Sequence, residues 1–346
     1  MNRLPAIDSA RGLAIFGILL INIQSFGLLP DYRYLPEGLP GMANELTWWL
    51  SSLLADGRFI SLLSLLFGMG LSWLARLGRG YQFRRLRWLA VIGLLHAVMI
   101  WDGDILLTYA LTAMVVLPFI ERSARGRSWA GGLLVLLAVI SFTLMTALGG
   151  ADQHIDTTPL AIFQHGSYLA QLYYRVSELA LTLFSWPLFT LPFTGGLMLL
   201  GSVLAEREDL LAWVQRYSPL MVLLGIIGSA FSLWDWPLLG YGIQLIFAPL
   251  QGLGYLGLVL RFGQYWRPLQ AAGKLALSHY LLQSVVMTTL FYSTGLYNQL
   301  SRPALLAIAL VYSLVMIALS PWYLQRHQQG PMEALWRNLA GRPKSG

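Results

Sequence analysis

Cysteine is absent from the 346 residues, which removes disulfides, thiol catalysis, iron–sulfur clusters and cysteine-ligated zinc together. Charge is scarce as well. Asp, Glu, Lys and Arg make up 11% of the chain, against roughly 25% in soluble globular proteins. No set of His, Asp and Glu falls at metal-ligand spacing, and no glycine-rich phosphate loop is present, so neither a metal nor a nucleotide-loop fold is expected. There is also no run of Lys or Arg that would serve as a nucleic-acid arm, although the net charge is +7. What remains is apolar: 56% of the residues are hydrophobic. Long apolar runs separated by short charged loops make the chain a polytopic membrane protein.

A helix needs about 20 apolar residues to cross a bilayer, fewer where polar side chains face a bundle interior. On that basis the expected fold is all-α, a transmembrane helical bundle of about ten spans in one integral membrane domain covering residues 1–346. The spans run approximately 9–29, 59–77, 88–101, 104–120, 129–148, 183–204, 218–234, 243–261, 274–293 and 303–324. The third and fourth are joined by Trp101-Asp102-Gly103-Asp104 into a tight hairpin. Met1-Asn2-Arg3 before an apolar run has the outline of a signal peptide. Asp8 and Arg11 interrupt it, however, and no small-residue cleavage site precedes Pro30, so the first helix is expected to stay in the mature chain.

Orientation follows from the basic residues. Of the 23 Lys and Arg, 19 fall in alternate connecting segments, leaving only Arg33, Arg58, Arg175 and Arg302 on the other side. The positive-inside rule then puts both termini in the cytoplasm, residues 30–58 and 149–182 in external loops, and 325–346 in a cytoplasmic tail. Trp48 and Trp49 in the first loop read as interfacial anchors. The second loop carries His154, His165, Tyr174, Arg175 and Glu178, and its second half reads as an amphipathic helix lying on the outer face. In the tail, Pro331 to Arg337 reads as a short interfacial helix.

Ionisable groups inside spans are expensive and by default face a cavity or a partner. Asp8 and Arg11 share a face at the start of span one. Asn22 lies about 21 Å further along the same helix. The pair suits a phosphate or carboxylate arriving from the cytoplasm, or equally a helix start with Asp8 as N-cap and Arg11 reaching lipid phosphate. His96 sits near mid-membrane, where a neutral imidazole acts as base or proton relay. Asp102 and Asp104 flank the outer mouth, and Asp104 is also placed to cap the next helix. Lys274, Ser278, His279 and Gln283 recur along span nine as a polar stripe that serves either substrate binding or helix contact. Gly68 and Gly70 on span two read as helix-packing residues.

These residues resemble a known family. Asp8-x-x-Arg11-Gly12-x-Ala14-x-x-Gly17, Phe67-Gly68-x-Gly70, His96 with Trp101-x-Gly103-Asp104-Ile105-Leu106-x-x-Tyr109, Gly273-Lys274-x-Ala276-Leu277-Ser278-x-Tyr280-Leu281-x-Gln283, and Gly330-Pro331-x-Glu333-x-Leu335-Trp336 together look like the YeiB family of bacterial inner-membrane proteins. A transport role has been suggested for that family. More distantly, the Asp-x-x-Arg-Gly opening is similar to that of the transmembrane acyltransferase superfamily, whose members pass an acyl group from acyl-CoA to a sugar. One branch places a His eleven positions after the motif Arg, where this chain has Asn22. The superfamily's base therefore does not carry over, and His96 is the substitute offered by the residues themselves.

The leading expectation is an acyltransferase-like enzyme. Arg11, Lys274 and their neighbours would bind the phosphates of an acyl-CoA donor, and His96 would act as base on the hydroxyl or amine of a small-molecule or glycan acceptor entering past Asp102 and Asp104. Asp8, Asn22, Ser278, His279 and Gln283 would support binding. The alternative is a proton-linked transporter using the same polar line, and the third reading is a membrane scaffold.

Overall fold

The computed structural model describes residues 5–33, 38–148, 155–233 and 240–342; His154 and Lys344 lie outside them. Fifteen α-helices follow one another among the described residues: α1 (Pro5–Gly27), α2 (Met42–Leu54), α3 (Arg58–Leu74), α4 (Arg79–Met99), α5 (Leu106–Val116), α6 (Ala124–Leu148), α7 (Thr158–His165), α8 (Tyr168–Ser185), α9 (Thr190–Leu204), α10 (Glu208–Leu233), α11 (Gly240–Phe262), α12 (Arg267–Lys274), α13 (Ala276–Tyr292), α14 (Arg302–Arg326) and α15 (Pro331–Ala340). No strand occurs among them.

Burial separates the axis of the bundle from its rim. In α1, 83% of the most apolar window is buried, against 11% in α6 and 22% in both α10 and α14. A helix as apolar as α6 that stays uncovered by protein has lipid as its natural surroundings. Helix α1 runs down the middle and packs on α3, α11, α12, α13 and α14. Small residues make these contacts close. A Cβ on Gly273 would fall 1.7 Å from the Asp8 carbonyl oxygen, and one on Gly12 2.5 Å from that of Leu269, so α12 crosses α1 backbone to backbone. The same device joins α3 to α9, where Gly68 lies on the Met198 carbonyl and Gly201 on that of Leu65. Gly70 meets nothing within 4 Å; it lines a cavity instead of packing a helix.

Each of the ten expected spans contains a helix, yet the count of ten does not carry over. Among the described residues, six helical stretches are long and apolar enough to cross a membrane, and the number reaches eight if two bent pairs, α8–α9 and α12–α13, each count as one span. Helix α4 falls short because arginines crowd its first turns, and α5 because it has only 11 residues. Helix α2, expected in an external loop, joins α3 in one 36-residue apolar stretch that ends at Leu77. Its Trp48 is buried at 7% exposure, so it packs the protein and does not anchor it at the lipid interface. Helix α8 leaves Leu169, Tyr173, Leu181 and Phe184 exposed. It buries Gln171, Arg175 and Leu179 at successive turns, and Ser167 caps it by accepting from the Ala170 N–H at 3.2 Å.

The alternation of charge becomes a two-faced molecule. Arg79 bonds Glu121 at 2.7 Å, Arg127 bonds Glu206, and Arg84 donates to the Ala340 carbonyl at 3.3 Å, which gathers the basic segments at one face. At the opposite face Arg302 donates to the Tyr32 carbonyl at 2.7 Å and Arg175 to that of Met99 at 3.0 Å.

Candidate functional site

The sharpest chemistry is in the α4–α5 hairpin. Asp104 precedes α5, and its Oδ2 accepts from the Leu107 N–H at 2.7 Å, the cap expected from its position. Its other oxygen lies 2.9 Å from Nδ1 of His96, and both side chains are 1% exposed. With the carboxylate as acceptor, Nδ1 is the donating nitrogen, and in the neutral imidazole Nε2 then carries the lone pair. Nε2 has no hydrogen-bond partner among the described residues. An acid that orients the imidazole and leaves the far nitrogen open is the arrangement a general base requires.

The hairpin is held from the side by stacking of Trp101 on Phe26 at 4.0 Å, which links it to the central helix. Asp102 lies in the connecting turn. Burial pushes its carboxyl pKa up, opposed by a backbone hydrogen bond, by Arg175 and by His96. Neither Asp102 nor Asp104 is in the lining of the cavity described next.

A cavity of about 410 Å³ opens at the basic face. Arg11, Arg85, Lys274 and Arg337 line it together with Gln82, Gln329 and Glu333, while its depth is formed by Leu63, Phe67, Ile105, Leu106, Tyr109 and Tyr280. Four cations over an apolar floor suit an amphiphile with an anionic head. Gln82, 3% exposed, lines the wall with its Oε1 unpartnered. The floor adjoins the hairpin directly: Ile105 and Leu106 follow Asp104 in the chain, and the Tyr280 ring centre is 5.3 Å from that of His96.

The 82° bend between α12 and α13 builds one wall. It ends α12 at Lys274 and points the first N–H groups of α13 toward α15. There Glu333 accepts from Leu277 N at 2.8 Å, Ser278 N at 3.1 Å and Ser278 Oγ at 2.5 Å, so a carboxylate from a neighbouring helix caps α13. Trp336 completes the wall, donating its indole N–H to the Arg85 carbonyl at 2.7 Å beneath the Arg85 guanidinium.

Of the residues expected from the sequence, Arg11 and Lys274 line this cavity, and His96 and Asp104 stand behind its floor. Asp8 lies behind Arg11, bonded to it at 3.1 Å; α1 already begins at Pro5, so Asp8 sits inside the helix and is not its N-cap. The stripe on span nine breaks up because the bend separates Lys274 from the rest. Ser278 belongs to the Glu333 cap. His279 bonds Ser320 on α14 at 2.9 Å, and Gln283 is fully buried. Asn22 faces a separate niche of about 10 Å³ beside Asp56 and Gly57, at the opposite end of the bundle. Gln82, Arg85, Tyr280, Glu333 and Arg337 were not expected. For Glu333 and Tyr280 the signal was present in the family-like motifs that contain them, whereas Arg85 reads from sequence only as a topology marker. No group of three or more His, Asp and Glu able to hold a metal occurs among the described residues.

Comparison with known proteins bears on the whole chain. YeiB of Escherichia coli K12 is 30% identical over 385 aligned positions, spanning 98% of this chain and 96% of its own. The chain belongs to the YeiB family. Residues 201–343 match a family profile described as protein of unknown function (DUF418). YxaH of Bacillus subtilis 168 is 29% identical across 97% of the chain and 94% of its own length. A 39.9 kDa protein from the amylase 3′ region of Bacillus acidopullulyticus is 24% identical across 97% and 93%.

Proposed function

We propose that this YeiB-family protein is a membrane-embedded acyltransferase of the bacterial inner membrane, using acyl-CoA from the cytoplasm. The observation that carries the reading is the His96–Asp104 pair, with Nε2 free, directly behind the floor of a cation-rimmed cavity. The basic face is the cytoplasmic one by the positive-inside rule. Arg11, Arg85, Lys274 and Arg337 pair with the donor phosphates at the rim, and the acyl and pantetheine portion enters the apolar depth. His96 Nε2 takes the proton of an acceptor hydroxyl or amine as that group attacks the thioester carbonyl. The new C–O or C–N bond forms, the C–S bond breaks, and the proton passes from His96 to the departing thiolate.

The test uses protein in nanodiscs with radiolabelled acetyl-CoA and a membrane extract as the source of acceptor. Label should appear in an extractable lipid or glycan product, and His96→Ala should abolish it. Arg11→Ala combined with Lys274→Ala should raise KM with little change in kcat. Product formation undiminished in His96→Ala removes the base assignment. A transporter reading draws on the same one-sided cavity: an anionic solute crossing proteoliposomes without covalent change, and no labelled product, would replace the enzyme.

A further inference from the structure

His96 and the cavity are neighbours, yet they do not touch. His96 is 2% exposed and lines no part of the cavity, whereas Tyr280 lines it and is itself 1% exposed. The Tyr280 ring is tilted 47° to the imidazole at 5.3 Å between centres. It is held there by one polar contact, since its phenol oxygen accepts from the Ile105 N–H at 3.0 Å. That N–H stands at the mouth of α5, one residue beyond the carboxylate that orients His96. Beyond Tyr280 the polar groups go unanswered: His96 Nε2 and both amide atoms of Gln283, one turn further along α13, lack hydrogen-bond partners among the described residues, and Gln283 is fully buried. Buried groups of this kind are normally paired or hydrated.

We propose that Tyr280 is the gate between the cavity and His96, and that its phenol oxygen holds the place of a substrate oxygen on the Ile105 N–H. The proposal rests on His96 being the base. When the ring turns aside, two groups are released together: Nε2 as proton acceptor and the Ile105 N–H as donor to the oxygen of the incoming carbonyl. Such an N–H at a helix start is suited to developing negative charge. Tyr280 is thus a positioning residue. It keeps the base dry and shut until a ligand fills the cavity and displaces the ring, and it limits water as a competing acceptor.

Diethylpyrocarbonate reads this directly, because it acylates accessible imidazole nitrogens and the modified residues are counted by peptide mass spectrometry. The protein already contains its own references, with His165 exposed and His279 buried against Ser320. In wild type, His96 should react about tenfold or more slower than His165, as expected of a site reached only through local opening. Tyr280→Ala should bring His96 to about the His165 rate while His279 stays protected, and Tyr280→Phe, which keeps the ring and loses its anchor, should fall between. Wild-type His96 reacting as fast as His165 overturns the gate. So does a His96 that stays as protected as His279 in Tyr280→Ala, or a joint rise of His96 and His279, which reports loosening of the bundle. None of these readings depends on turnover, so failure to detect acyl transfer would remove the proposed reaction without touching the gate.

Discussion

Replacing Gly68 with alanine puts a methyl group 1.9 Å from the carbonyl oxygen of Met198 and 2.6 Å from its carbon. Both atoms are backbone, held in the hydrogen-bond ladder of α9, so no side chain can swing aside. Helices α3 and α9 must part by more than 1 Å at their crossing. Overpacking of this kind costs about 1–3 kcal/mol, and the better helix propensity of alanine returns only about 1 kcal/mol. Gly201→Ala meets the Leu65 carbonyl at 2.1 Å across the same crossing and should cost a similar amount. Because each change separates the same two helices, the double variant should lose less than the sum of the singles. Gly70→Ala is the control: its methyl meets nothing within 4 Å, and it should leave stability unchanged or raise it by up to about 1 kcal/mol. Equilibrium unfolding in SDS mixed micelles, followed by tryptophan fluorescence, measures all four variants. Gly68→Ala matching Gly70→Ala would refute the backbone-contact reasoning.

Glu333→Ala removes three hydrogen bonds from the start of α13 and should destabilise by about 1–3 kcal/mol, read in the same unfolding assay; no change would mean the cap contributes nothing. Glu206, outside the spans, gives a pH prediction. Burial alone would raise its pKa, but hydrogen bonds from Arg127 and Ser72 and the Arg127 charge outweigh that and hold it below its usual 4.5. A lowered folded-state pKa contributes stability above about pH 4.5 that is lost as pH falls through the folded value. The difference in unfolding midpoint between wild type and Glu206→Gln should therefore be constant from pH 7 to 5 and shrink below 4.5; a difference that widens in acid contradicts the pairing.

The helices were legible because apolar runs, glycines and charged loops are local signals. The charge alternation was legible because it is a property of connecting segments, and Arg79, Arg84 and Arg127 do meet on one face. The bend at Leu275 was not, since nothing in Gly273-Lys274-Leu275-Ala276 distinguishes an 82° turn from a continuing helix. With that bend missed, Lys274 and Ser278 read as one stripe. His96 and Asp104 were each singled out, one as a base and the other as part of the outer mouth or a cap, but their bond depends on how the hairpin folds back across eight residues. The cavity was beyond reach for a different reason: Arg11, Arg85, Lys274 and Arg337 come from four separate helices and meet only through tertiary packing.

His96, Asp104 and the N–H groups of Ile105 and Leu107 all lie within twelve consecutive residues, closed by one tight turn. The cavity is stitched together from two distant stretches of the described chain, residues 11–109 and 273–337. Substitutions scattered along α1, α4, α12 and α15 can reshape the cavity while leaving the His96–Asp104 pair untouched. On the acyl-transfer reading proposed above, the hairpin would be inherited as a unit while the choice of ligand is free to drift.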